Sequence, residues 1–183
     1  MNALLKPLLL ITLFFTTIPV LKAQEALKQK PSPLGLVTYK FDSTYIKVTY
    51  GRPHLRSREA FKEDSPLAPV GKIWRTGANE ATEITLTKDA LLAGNRVRTG
   101  TYTIFSIPGA KEWTIILNKD LGQWGAYEYD DKLDYIKFQV PSREIDESYE
   151  PFTITFDQTE GKVAMQMIWA NTLVSIPIEF ISE

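Results

Sequence analysis

An all-β fold, an antiparallel β-sandwich of jelly-roll-like type with about nine to ten strands, is what this sequence predicts, and three observations predict it. Apolar residues recur with period two in short runs, glycine, proline, aspartate or asparagine bounds nearly every run, and almost no stretch between them repeats with the 3.6-residue period of a helix. Short strands at this spacing, each with one face to bury, are most simply closed as two packed antiparallel layers.

The elements follow in order. A strand over 36–41 and another over 45–50 flank Asp42-Ser43 as a hairpin, with Ile46, Val48 and Tyr50 on one face and Lys47 and Thr49 on the other. The run 82–87 turns Ile84 and Leu86 inward and Glu83, Thr85 and Thr87 outward. The run 101–107 is apolar on both faces, as a central, covered strand requires. Pro108-Gly109-Ala110-Lys111 then turns the chain into 112–118, which aligns Trp113, Ile115 and Leu117. Four further strands are expected over 135–140, 152–157, 162–169 and 173–180. Pro177 lacks a backbone donor and is expected at an edge or bulge.

Ahead of this domain, residues 1–23 have the layout of a secretory signal: Lys6, an apolar stretch from Leu8 to Val20, and a closing Leu21-Lys22-Ala23. The stretch is shorter than the roughly 20 residues that span a bilayer, so cleavage near Ala23 is expected, an uncleaved anchor being the alternative. Residues 24–33, with Pro31 and Pro33, form an extended lead-in, and 34–183 form one domain. The protein is expected to be exported, periplasmic or secreted, with no integral membrane segment after cleavage.

Composition narrows the chemistry. With no cysteine there is no disulfide framework, no thiolate nucleophile, no thiolate metal site and no lipid attached through an N-terminal cysteine. Loss of Lys6 and Lys22 with the signal takes the formal charge from −1 to −3, which gives no reason to expect nucleic acid as a partner. One histidine supports zinc poorly, and Asp130, Asp131 and Asp134 lack the glycine-centred loop and distal glutamate of a known calcium site, so a solvated acidic turn is expected. No phosphate-cradling glycine loop, glycine-flanked nucleophilic serine or zinc-protease helix is present, and no cofactor or metal is expected.

The stretch 51–80 breaks the strand pattern, and connections this long inside a compact domain are commonly functional. It concentrates Arg52, Arg56, Arg58, Lys72 and Arg75 in an otherwise slightly acidic chain. It also ends on Gly71-Lys72-Ile73-Trp74-Arg75-Thr76-Gly77-Ala78-Asn79-Glu80-Ala81-Thr82. Together with Tyr50-Gly51-Arg52-Pro53, with the run from Gly100 to Gly109 and Glu112-Trp113-Thr114, and with Gln123-Trp124-Gly125-Ala126-Tyr127, this segment resembles the bacterial domain-of-unknown-function family 2911, over about residues 32–180. The resemblance implies an exported β-rich domain and carries no catalytic residue with it. Where the family pattern often has lysine and glycine between the Arg-Pro pair and the next arginine, this chain has Arg56-Ser57, so the glycine that a glycine-dependent turn there would use is missing.

The candidate ligand-binding residues are Arg52, His54, Arg75, Asn79, Glu80 and Trp124. Guanidinium groups clamp carboxylate or phosphate through two parallel hydrogen bonds, so converging arginines suit an anionic ligand; alternatively, Arg75 and Glu80 pair with each other, or with loop carbonyls, and fix a long loop. Trp124, with Tyr127 and Tyr129, offers rings for a sugar or peptide side chain, or else Trp124 packs into the core. His54 is either an acid–base group or an ordinary loop residue. The leading reading is a noncatalytic binding module for a small anionic, glycan or peptide ligand. The alternatives are a small hydrolase or isomerase using Glu80 or His54 with Arg75, and a structural component of the envelope.

Overall fold

In the computed structural model, which describes residues 30–181, the period-two runs become nine antiparallel strands: β1 Leu34–Phe41, β2 Thr44–Gly51, β3 Thr82–Leu86, β4 Ala90–Leu92, β5 Asn95–Val97, β6 Gly100–Ile107, β7 Glu112–Asn118, β8 Asp134–Thr159 and β9 Lys162–Phe180. The expected signal over 1–23 and most of the lead-in lie outside the described residues. The strands hydrogen-bond in the order β1-β2-β3-β6-β7-β8-β9-β4-β5. The all-β antiparallel expectation holds.

This ladder folds over on itself because β8 belongs to two neighbourhoods. Its first part pairs with β7 up to Glu112–Pro141, and from Ser142–Val174 onward it pairs with β9. The register slips between Glu144 and Tyr149 and again between Tyr149 and Thr153, irregularities that bend a strand. Contacts then form across the fold: the Tyr50 hydroxyl accepts from the Ile154 amide at 3.0 Å, and Tyr39 donates to Gln158 Oε1 at 3.0 Å. Between the layers, Ile46, Val48, Ile84, Leu86, Ile104, Ile115 and Leu117 meet Phe152, Ile154, Met165, Met167 and Ile176 in one buried cluster.

Three expectations are revised. The separate strands over 135–140 and 152–157 are parts of one 26-residue strand, and those over 162–169 and 173–180 are parts of one of 19. Pro141 and Pro151 lie inside β8 where the strand changes partner or register, positions that need no ladder donor. Pro177 obeys the same logic. The β8 ladder has ended at Val174 and the β4 ladder begins at Ile178, while the Pro177 carbonyl accepts from the Ala93 amide at 2.8 Å. The hairpin of β4 and β5 had no strand signal, since each arm has only three residues and its register comes from the Ala93-Gly94 turn, both at positive φ.

A turn forms at Arg56-Ser57 without a glycine. The Arg58 amide reaches the Leu55 carbonyl at 3.0 Å, with φ of 48° and 62° at Arg56 and Ser57, the positive values of a type I′ turn. A side chain in this region costs about 1–2 kcal/mol, partly offset in glycine by its larger entropy loss. Ser57→Gly is therefore expected to stabilise the fold by about 0.5–1 kcal/mol, read as a raised urea midpoint at unchanged m-value.

Candidate functional site

The tryptophan of the 71–82 segment anchors the site. Trp74 exchanges both backbone hydrogen bonds with Ser106 of β6, at 2.8 and 2.9 Å, beyond the end of β3. Alternation along this short extension sends Trp74 inward and its neighbours Ile73 and Arg75 to the outer face. Inside, Trp74 stacks on Trp169 with centroids 5.8 Å apart and meets Phe152, Trp113 and Phe61 edge to face. Its indole Nε1 donates to the Gly77 carbonyl at 3.1 Å, and Thr82 holds the returning chain through Thr76 O at 2.7 Å and Arg75 O at 3.1 Å. Gly51 of β2 lies so near this loop that a Cβ there would sit 1.9 Å from the Ala78 carbonyl oxygen, which is why the position is glycine.

On the outer face a second small core forms. Phe105, Ile116 and Ala81 are buried there under Ile73, Ala126 and Tyr129, so the 119–133 connection is packed down rather than free. The acidic turn expected at Asp130, Asp131 and Asp134 is not simply solvated. Asp130 caps a 3-10 turn over Asp131–Leu133, and the side chain of Asp134 is only 7% exposed. It accepts from Tyr129 at 2.6 Å and Asn118 at 2.8 Å and pairs with Lys137 at 2.7 Å.

Burial, reinforced by that hydrogen bond to Asp134, pushes the Tyr129 phenol up to about 12. The unfolded value is about 10. A raised folded value favours the neutral phenol, so the contribution to stability is intact below about pH 10 and is lost as pH rises through about 12. Urea unfolding across that window is expected to show an alkaline loss of stability that is smaller in Tyr129→Phe.

The six candidate residues separate into two groups. Arg52 donates to the Phe152 carbonyl at 3.3 Å and to Thr153 Oγ1 at 3.1 Å, and His54 bridges Pro151 while its carbonyl accepts from Arg58 at 2.9 Å. Both belong to the seam with β8. Arg56 holds the Pro31 carbonyl at 2.8 Å, and Arg58 the Leu55 carbonyl at 3.0 Å. Each of these three arginines thus ties down a backbone carbonyl.

Asn79, Glu80 and Trp124 make the other group, drawn together by the Glu80–Trp124 bridge and by Gly125 N donating to Asn79 O at 3.0 Å, while Arg75 is linked to the same connection through the phenol of Tyr127. Asn79, with φ of 63°, gives its amide to the Ser32 carbonyl at 3.0 Å. Glu80 lies 4.0 Å from Lys30, whose ammonium stands 5.8 Å from the Trp124 ring centre. The lead-in therefore occupies these polar groups. Trp124 is 57% exposed, so the alternative that packs it in the core is excluded. No hydrogen bond joins His54, Glu80 and Arg75 among the described residues.

Arg75 differs from every other arginine of the segment. Its Nε is buried without a hydrogen-bond partner, and no carboxylate is in ion-pair range among the described residues; Glu80 pairs with Lys30 instead. Burial pulls the guanidinium below its ordinary value, with the phenol of Tyr127 acting in the opposite sense. Tyr127 itself is 85% exposed and its ring folds against Gly125, where a Cβ would meet it at 2.7 Å. In the same 119–133 connection, the buried Gln123 Oε1 also lacks a partner. The guanidinium is thus partly withdrawn from water with no counter-charge to compensate it among the described residues. No cluster of three or more metal-ligating side chains occurs among the described residues.

Neither a curated protein nor a solved structure matches the chain. A family does, described as a protein of unknown function (DUF2911), over residues 32–178, a span that includes both layers and the whole 71–82 segment. On that match the chain belongs to the DUF2911 family.

Proposed function

We propose that this protein is an exported, noncatalytic binding module for a small anion, a carboxylate or phosphate, received by Arg75 and flanked by Tyr127 and Trp124. The observation that carries it is the Arg75 guanidinium, partly buried with its Nε unpartnered. A charge left this way is costly in the empty protein and is compensated when an anion supplies the missing hydrogen bonds. The neighbouring groove of about 210 Å³ carries Glu80 and Glu83 and repels anions, which directs the ligand to the Arg75 side.

Thermal-shift measurement with citrate, succinate and inorganic phosphate, each against chloride at equal ionic strength, tests this reading. A ligand at about 100-fold its Kd adds about 2.7 kcal/mol and raises Tm measurably. The rise is expected with the wild type and absent in Arg75→Met, while Arg52→Met, at a residue engaged with β8, retains it. Equal rises in all three proteins would refute Arg75 as the receptor. Cell fractionation tests the location: recovery in the cytoplasm would refute export.

A further inference from the structure

A separate cleft of about 290 Å³ opens where β8 leaves β7 for β9, lined by the loop at Ala60–Lys62, the β6–β7 turn and the start of the β8–β9 pairing. Its lining includes the indole of Trp113. That residue is 1% exposed, and its Nε1 has no hydrogen-bond partner. The two other buried indoles are both satisfied, Trp74 by the Gly77 carbonyl at 3.1 Å and Trp169 by the Glu150 carbonyl at 3.0 Å. Burying an unbonded donor costs about 1–3 kcal/mol, so the exception calls for a partner.

Two more features mark the cleft. Phe61, whose ring centre lies 4.8 Å from that of Trp113, has a φ of 58°, a strained value for an aromatic residue of the kind found at ligand clamps. On the rim, Glu144 accepts a short hydrogen bond from the Asn171 amide, and this pair retains carboxylate and amide acceptors and one amide N–H. Lys62, which pairs with Glu59 at 3.9 Å, and Arg143 line the same cleft as Glu144, so it carries both signs and does not select for a single ionic charge. Donors and acceptors side by side, over an aromatic wall, match hydroxyl groups, which donate and accept at once. The volume is at the low end for ligand pockets and suits one ring.

We propose that this cleft is a second ligand site, distinct from Arg75, that takes a single hydroxyl-rich ring of the monosaccharide class, with Trp113 Nε1 donating to a ring or hydroxyl oxygen and Glu144 and Asn171 gripping adjacent hydroxyls. Nε1 is shielded from water in this structure, so the ligand engages it by shifting Phe61.

Intrinsic tryptophan fluorescence of the whole chain, titrated with glucose, galactose and N-acetylglucosamine, tests the site. At least one sugar is expected to give a saturable change. Its apparent Kd rises tenfold or more in Asn171→Ala, a substitution on an exposed side chain whose variant is checked for unchanged Tm, and stays unchanged in Arg75→Met. No saturable response to any of the three sugars up to about 100 mM, well past the millimolar scale of weak binding, would overturn the proposal. So would a response that survives Asn171→Ala combined with Glu144→Ala, or one lost in Arg75→Met. Because the anion titrations read Arg75 alone, failure here leaves that reading to its own test.

Discussion

Trp74→Ala is expected to lower stability by about 3–5 kcal/mol, the range for truncating a large buried aromatic residue, and to drop Tm by roughly 10 °C for a chain of this size. Trp74 touches four aromatic rings contributed by the 51–80 connection, β7, β8 and β9, so its removal opens a cavity between layers that no single neighbour closes. The consequence extends outward. The indole is the donor that holds the Gly77 carbonyl, and the same short extension on β6 sets the direction of Arg75. Trp74→Phe keeps most of the packing but leaves that carbonyl without its bond, so it is expected to cost less stability while still loosening the loop. Urea denaturation gives the first difference, and amide exchange of residues 75–81 gives the second. Equal exchange in Trp74→Phe and wild type would show that the indole bond does not hold the loop.

The second large effect has the opposite sign. Arg75→Met is expected to leave the ligand-free protein as stable as the wild type or to raise its Tm by about 2–4 °C, because an apolar side chain of similar length replaces a partly buried charge that lacks a counter-ion. Arginines that tie loops behave otherwise. Arg52→Met breaks two hydrogen bonds across the seam with β8 and is expected to destabilise by about 1–2 kcal/mol. A residue whose removal stabilises the empty fold and abolishes the anion response has been kept for its ligand. Calorimetric scans of the two variants beside the wild type make the comparison, and a strong loss of Tm in Arg75→Met would place Arg75 among the structural arginines.

The strands of the first layer were legible because β2, β3, β6 and β7 each bury one or both faces, which imposes period two or continuous apolarity on the sequence. The long strands were not legible as wholes, since β8 changes partner after Pro141 and its residues 144–150 slip register and stand largely exposed, leaving no alternation to read across Pro141 and Pro151. The candidate site shows the same division. Charge clustering and broken periodicity located the 51–80 segment, and the arginine that stands apart was among the residues named. Sequence could not separate Arg75 from Arg52, Arg56 and Arg58, because the distinction is made by partners the fold supplies: Phe152 and Thr153 give oxygens to Arg52, Pro31 to Arg56, and His54 and Leu55 to Arg58, and none reaches the Nε of Arg75. Nor could it reveal that the lead-in engages Asn79 and Glu80. The cleft at Trp113 was hidden for a related reason: an inward tryptophan on an amphipathic strand reads as core, and only the missing partner of its Nε1 marks it.

The central claim, that Arg75 is an anion receptor, is tested most directly at the atom concerned. In a proton–nitrogen correlation spectrum, the Arg75 Nε–Hε signal, assigned by its disappearance in Arg75→Met, is expected to exchange slowly with water because Nε is buried. It is also expected to move saturably on addition of citrate, succinate or phosphate, while the Arg52 signal stays in place. An Arg75 signal that exchanges as fast as those of exposed arginines, or that none of the three anions moves, would contradict the account.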